Sequence, residues 1–312
     1  MNIVLIIILS VIGGIIFLRI VFGIFGFFFV YKKRKKQYSI LDEKNKKRFD
    51  EYYPKIIEKY NELQKIEKEE IHILNKRNNN LYGELIKNKN QKNEIPTVIL
   101  FSHGHLSSGE NDLPLFYNFQ LKNYDVLLTD HEAHGKSEGK YSGFGIYESE
   151  NIPLWVEKIN EIYNHKVNIF IHGVSLGANS VLLTADKEME NVRGLIGDCG
   201  FTSTFRILKK LTFFKFISFS ICSFNSIVIK RNIFKYDTKK TLKNSKYPII
   251  LFHGVEDDHV PYLMSVENKE ACTTKRKLIG FDQAKHAQSY LSDPIKYERA
   301  FNEFIKENSI LA

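Results

Sequence analysis

The chain opens on an almost unbroken apolar run. Between Ile3 and Tyr31 only Ser10, a few glycines and Arg19 interrupt the aliphatic and aromatic residues. Taken as one helix, the 28 residues from Ile3 to Val30 extend about 42 Å at ~1.5 Å per residue. That exceeds a hydrocarbon core of roughly 30 Å, so the pattern predicts a tilt, or one end lying in the interface. Arg19 is expected to snorkel or face a partner, since a cation left at mid-membrane costs roughly 2.5–3.5 kcal/mol. A cleaved signal peptide would show a basic start, a shorter apolar stretch and a small-residue cleavage site. Here only Met1-Asn2 precede the run and Tyr31-Lys32-Lys33-Arg34-Lys35-Lys36 ends it, so residues 1–31 read as an uncleaved transmembrane anchor.

The pattern then changes twice. Residues 32–69 form a basic juxtamembrane segment followed by a stretch dense in both charges. Within it Ile56, Ile57, Tyr60, Leu63 and Ile66 recur at helical spacing, predicting a stalk helix after Pro54. From residue 70 to 312 short apolar runs alternate with longer helical ones. Strands are predicted over 70–74 and 81–86, joined by the hairpin signal Asn78-Asn79-Asn80. Further strands fall at 97–101, 125–129, 168–171, 194–196, 248–252 and 277–279, with helices at 152–163, 178–186, 261–271 and 294–306. Uniformly apolar strands separated by helices mean a mostly parallel sheet covered on both faces. In such α/β sheets the active groups gather at the carboxyl ends of the strands.

Charge changes the picture only near the N-terminus. Of the net +9, residues 1–36 carry six bases and no acid, and residues 37–80 hold ten bases and nine acids. The body over 81–312 is left with +2, so nucleic acid is not an expected partner. The five consecutive bases at 32–36 lie after the apolar span with no counterpart before it. The positive-inside bias then predicts a single-pass protein of the cell membrane with its main body, residues 70–312, in the cytoplasm. The same cluster also suits stop-transfer or anionic lipid. Cys199, Cys222 and Cys272 form no CxxC pair and no Cys/His ligand spacing, so reduced core cysteines are expected, with no cofactor and no metal.

The chemistry sits at strand ends. The strand at 168–171 runs into His172-Gly173-Val174-Ser175-Leu176-Gly177-Ala178 and then a helix, the context of a Gly-x-Ser-x-Gly nucleophile elbow. A serine on so sharp a turn needs small neighbours, and the helix N-terminus behind it offers N–H groups to a developing oxyanion. After the strand at 248–252 comes the acidic loop Glu256-Asp257-Asp258-His259-Val260-Pro261. After the last strand comes Ala284-Lys285-His286-Ala287. Ser175, an aspartate of that loop and His286 stand in the chain order of a hydrolase triad.

With these motifs in place, residues 70–312 resemble an α/β-hydrolase of the serine-aminopeptidase or monoglyceride-lipase-like group, and more narrowly bacterial membrane-anchored hydrolases. The similar stretches are Phe101-Ser102-His103-Gly104-His105, the segment from Thr129 to Gly139, the elbow, the segment from Gly197 to Ser203, the loop 253–261 and the segment from Ala284 to Tyr290. The resemblance implies Ser175 as nucleophile, His286 as general base and acid, and Asp257 as the orienting acid, chosen by an Asp-x-x-Val-Pro pattern. Asp258 remains the rival. It implies an oxyanion hole from the backbone N–H groups of His105 and Leu176. One departure stands out: an arginine usual in the second motif is replaced in Asp130-His131-Glu132.

Other residues have a plainer reading. Asp130, His131, Glu132 and His134 are expected to shape a turn rather than hold a metal, and Cys199 to pack rather than react. The Phe- and Ile-rich stretch 204–230, within a helical cap at about 204–235, predicts either a lid lining an apolar substrate site or a helix pair that covers the core. The functional expectation is a membrane-anchored serine hydrolase cleaving an ester, thioester or amide, with a small-molecule acyl substrate favoured. A peptidase on short peptides and a catalytically silent binding protein of the same fold are the alternatives.

Overall fold

The computed structural model describes residues 3–32, 39–89, 91, 94–212 and 214–310. Eight strands form one sheet in the order β1-β2-β4-β3-β5-β6-β7-β8. They are β1 (Glu69–Leu74), β2 (Asn80–Ile86), β3 (Thr97–Ser102), β4 (Asp125–Thr129), β5 (Asn168–Val174), β6 (Val192–Asp198), β7 (Ile249–Gly254) and β8 (Arg276–Phe281). β1 and β2 pair antiparallel as the hairpin expected, with Asn78 taking a left-handed turn at φ 57°, and β2 pairs antiparallel with β4. From β4 to β8 every pairing is parallel. All six further strands predicted exist; β4 has the predicted bounds, β3 and β7 are one residue longer, and β5, β6 and β8 run three or four residues longer than the apolar run alone shows. The central strands β3, β4, β5 and β7 are buried along their whole length, which is why they carry no polar alternation.

Two apolar layers cover the sheet. On one face α4 (Ile146–Ile162) and α5 (Leu176–Leu182) pack Trp155, Ile159, Val181 and Leu182 against Val98, Ile169 and Leu195. α4 begins well before the predicted residue 152 because Gly145, at φ +100°, turns the chain into it, while Glu148 accepts the N–H groups of Gly143 and Gly145. Pro153 inside α4 has no N–H for the Ser149 carbonyl. Lys187 Nζ supplies the missing donor at 2.7 Å. The opposite layer combines the C-terminal helix (Pro294–Asn308) with the stalk, α2 (Glu43–Phe49) and α3 (Tyr53–Gln64). Phe49, Ile56 and Leu63 are fully buried beside Phe116 and Phe119, so the stalk is a layer of the domain and not a free spacer.

The apolar N-terminal run forms α1 (Ile3–Gly26) and a wider helical turn to Tyr31. Its first half is exposed on all sides. Its second half packs on the cap, which consists of α6 (Thr204–Thr212) and α7 (Lys215–Val228). A Cβ on Gly26 would come within 2.3 Å of Ile221, and one on Gly23 within 2.5 Å of Phe224, so these glycines allow the helices to touch. Phe22 meets Phe216 edge-on, and the Arg19 guanidinium lies 4.8 Å over Phe219 with Ser223 Oγ 3.4 Å away. Phe27 and Tyr31 enter a third apolar cluster with Phe144, Phe201, Ile207 and Cys222. The second half of this long apolar helix is therefore held by protein contact. Of the basic cluster, Lys33 to Lys36 lie outside the described residues, as does Phe213.

Candidate active site

Ser175 occupies a turn between β5 and α5 at φ 53°, ψ −109°, a backbone conformation that non-glycine residues adopt only under constraint. The constraint is steric. A Cβ at Gly173 would stand 2.4 Å from the Gly177 carbonyl, and one at Gly177 would stand 2.0 Å from the Ser102 carbonyl oxygen. The two glycines let three backbone segments converge, and the serine is what the turn presents.

His286 follows β8, in a loop ahead of the C-terminal helix. Its Nε2 lies 2.9 Å from Ser175 Oγ, and its Nδ1 lies 2.7 Å from Asp257 Oδ2. Asp257 follows β7, and its Oδ1 accepts the N–H groups of His259 and Val260 at 2.9 and 2.8 Å. Burial raises the Asp257 carboxyl, yet hydrogen bonds to His253 and His286 outweigh it and hold it far below the ordinary carboxylate range. Burial pushes His286 down, against the opposing pull of Asp257, which favours the neutral ring. Asp258, the rival acid, is exposed and pairs instead with His259 Nδ1 at 2.6 Å.

The loop after β3 lies against the elbow: a Cβ on Gly104 would be 3.7 Å from Ser175 Cβ. Three fixtures hold this loop. His103 Nδ1 donates to the Gly104 carbonyl while its Nε2 accepts the His131 N–H, and His131 Nε2 donates to the His103 carbonyl. Asp112 accepts the Gly104 N–H and the Ser107 hydroxyl. The loop thereby brings His105 to the mouth of the elbow, opposite Leu176, whose N–H at the first position of α5 has no intrahelical acceptor.

The histidine- and acid-rich second motif, whose resemblance to the family's loop implies a turn, is tied together by hydrogen bonds. Asp130 accepts the N–H groups of Gly109 and Lys136. Glu132 replaces the usual arginine position with an acid and meets Arg77 from the β1–β2 turn, whose Nε donates to Glu132 Oε2 at 2.8 Å and whose Nη1 donates to Glu150 at 2.6 Å. Cys199 lies close behind Asp257 and His286, but burial pushes its thiol well up, away from a thiolate.

A cavity of about 230 Å³ opens over Ser175. Leu115, Phe144, Phe201 and Val260 line it, with Ile207 and Leu211 of the cap. This corrects one detail of the lid expectation. Phe216 and Phe219 of α7 face α1 and do not line the cavity, so the cap lines the site through α6 and joins α1 through α7. Sequence reasoning missed Asp112, Arg48 and His259 as cavity residues. Asp112 and Arg48 carry no motif, and only His259, inside the Asp-x-x-Val-Pro loop, was within reach of one.

The sheet order, the elbow and the loops at the strand ends define the α/β-hydrolase fold. Residues 93–210 match the family described as serine aminopeptidase, S33. An uncharacterized Bacillus subtilis protein, YqkD, is 25% identical over 222 residues, covering 68% of this chain and 72% of its own. The Pyrococcus furiosus esterase Pf2001 superposes with a TM-score of 0.64 at 23% identity, over 79% of this chain and 94% of the esterase. The Pyrococcus horikoshii acylaminoacyl peptidase gives 0.60 at 18% identity, over 81% of this chain and 43% of the peptidase.

Proposed function

We propose that the protein is a membrane-anchored serine hydrolase that cleaves acyl esters through an acyl-enzyme. The supporting observation is the hydrogen-bonded series Ser175 Oγ, His286 Nε2, His286 Nδ1, Asp257 Oδ2, at 2.9 and 2.7 Å, carried on a left-handed elbow. In this reading Ser175 attacks the acyl carbon as His286 takes its proton. His286 then returns that proton to the leaving group, while Asp257 holds the imidazole and its developing charge. The oxyanion forms beside the Leu176 and His105 N–H groups. Residues 1–31 serve as the anchor, 32–69 as the juxtamembrane segment and stalk, and 70–312 as the catalytic domain, facing the cytoplasm in a single-pass arrangement.

Acyl esters are favoured over peptides by the cavity wall. Its lining is largely apolar, and among the described residues its one carboxylate, Asp112, is already taken up by Gly104 and Ser107, which leaves none of these to meet a peptide ammonium. Each methylene buried contributes roughly 0.8 kcal/mol, so kcat/KM on p-nitrophenyl esters is expected to rise from two carbons to about six or eight. The test is that series run beside aminoacyl anilides. High activity confined to the anilides overturns the ester reading in favour of a peptidase, and no activity on either favours a silent binding protein.

A further inference from the structure

Arg48 closes α2 in the stalk, remote in sequence from every hydrolase motif, yet it lines the same cavity as Ser175 and His286. Two hydrogen bonds clip its turn to the loop of the candidate base. Arg48 Nη2 donates to the His286 carbonyl at 3.2 Å, and Gln288 Nε2 donates to the Arg48 carbonyl at 2.9 Å. The neighbouring Phe49 is 1% exposed, so the turn is also fixed from the core side.

The guanidinium is only partly used. It has five N–H donors, one of which meets the His286 carbonyl, and its flat face lies 5.0 Å from the Phe49 ring. Among the described residues no carboxylate pairs with it. The acid on the cavity wall, Asp112, gives Oδ2 to Gly104 and Oδ1 to Ser107. Arg48, Asp112 and His286 line the same cavity, so the cation faces the space in front of the base.

The position identifies the part of the substrate concerned. His286 Nε2 must protonate the departing atom, so substrate groups beside the His286 loop belong to the leaving group. Resting on the acyl-hydrolase reading above, we propose that Arg48 binds an oxyanion, carboxylate or phosphate, carried by the leaving group of the acyl substrate. The chemistry stays balanced. The Ser175 Oγ–C bond forms, the C–O bond to the leaving group breaks, and the serine proton passes through His286 to the leaving oxygen. Water then attacks the acyl carbon and gives its proton to His286, the Ser175 Oγ–C bond breaks, and that proton returns to Ser175 Oγ as the free acid leaves. A planar fork is suited to either oxyanion, where an ammonium offers only a point charge. The stalk would thus supply the specificity of a site whose chemistry lies in the hydrolase domain.

The test uses full-length protein in a neutral detergent and three hexanoyl esters with matched leaving groups: 4-hydroxybenzoate, 4-hydroxyphenyl phosphate and methyl 4-hydroxybenzoate. Comparing variant with wild type cancels their intrinsic reactivities. In Arg48→Gln the anionic-to-neutral ratio of kcat/KM is expected to fall at least tenfold, mostly through KM, with partial rescue in Arg48→Lys. The larger fall of the two anionic esters tells carboxylate from phosphate. An unchanged ratio for both overturns the proposal and leaves Arg48 as a clip on the His286 loop. If the wild type cleaves none of the three, the hydrolase reading fails, and binding to Ser175→Ala decides Arg48 separately. There 4-hexanamidobenzoate should bind at least tenfold tighter than its methyl ester, a preference lost on adding Arg48→Gln. No such preference also overturns it.

Discussion

Two adjacent aspartates show how far local geometry separates identical side chains. Asp257 is buried, collects two backbone N–H groups on one oxygen and meets His286 with the other. The Asp258 carboxylate is exposed and pairs with His259 Nδ1, while its backbone carbonyl accepts from Lys210 Nζ. Asp257→Asn is therefore expected to lower kcat by about 10⁴, as a wrongly held imidazole does, while Asp258→Asn changes it by less than about threefold. Steady-state kinetics of the two purified variants check this, and a reversed order would mean that the acid is misassigned. The pH profile carries a second prediction. The groups acting on His286 are burial first, which lowers it, then Asp257, which raises it, with Arg48 and His259 lowering it further. The base works when neutral, so activity rises as pH passes upward through its folded pKa. The acid limb of kcat/KM should then fall below the ordinary histidine value of about 6.5, and Arg48→Gln should shift it upward. A wild-type midpoint above 7 would contradict the burial that depresses the ring.

At the scale of elements, the cap divides its work between two helices. α6 turns Ile207 and Leu211 toward the cavity, whereas α7 gives Phe216, Phe219, Ile221 and Phe224 to α1. Replacing Ile207 and Leu211 together by Ser should flatten the rise of kcat/KM with acyl length by about tenfold at eight carbons. The pair Phe216→Ser and Phe219→Ser should leave that slope intact and instead lower thermal stability in detergent. If the α7 pair flattened the slope and the α6 pair did not, the assignment of faces would be reversed. The strands and the elbow were legible in sequence because each rests on a local requirement, two buried faces or two small residues around a strained serine. The division of the cap was not, since 204–230 is rich in Phe and Ile throughout and only tertiary contact tells which face meets which partner. The early start of α4 was hidden for a related reason. Gly145 and Pro153 look like breakers until Glu148 and Lys187 are seen to satisfy the groups they leave open.

Across the whole molecule the anchor, cap, stalk and catalytic loops form one connected body. α1 contacts α7, α6 lines the cavity, and Arg48 of the stalk reaches the His286 carbonyl. The apolar run and the order of Ser175, Asp257 and His286 could be read from the chain. The docking of Gly23 and Gly26 on the cap, and the reach of Arg48 across 238 positions, depend on packing that no local pattern encodes. The one-sided basic cluster at 32–36 predicts a cytoplasmic body: a reporter fused after Ala312 should be active only in its cytoplasmic form, and activity only outside the membrane would reverse the topology. The central claim is that Ser175, activated by His286, is the nucleophile, and covalent labelling reads this most directly. A fluorophosphonate probe followed by intact-mass and peptide analysis should add one adduct, on Ser175, in the wild type, and none in Ser175→Ala or His286→Ala. Equal labelling of Ser175→Ala would contradict the account.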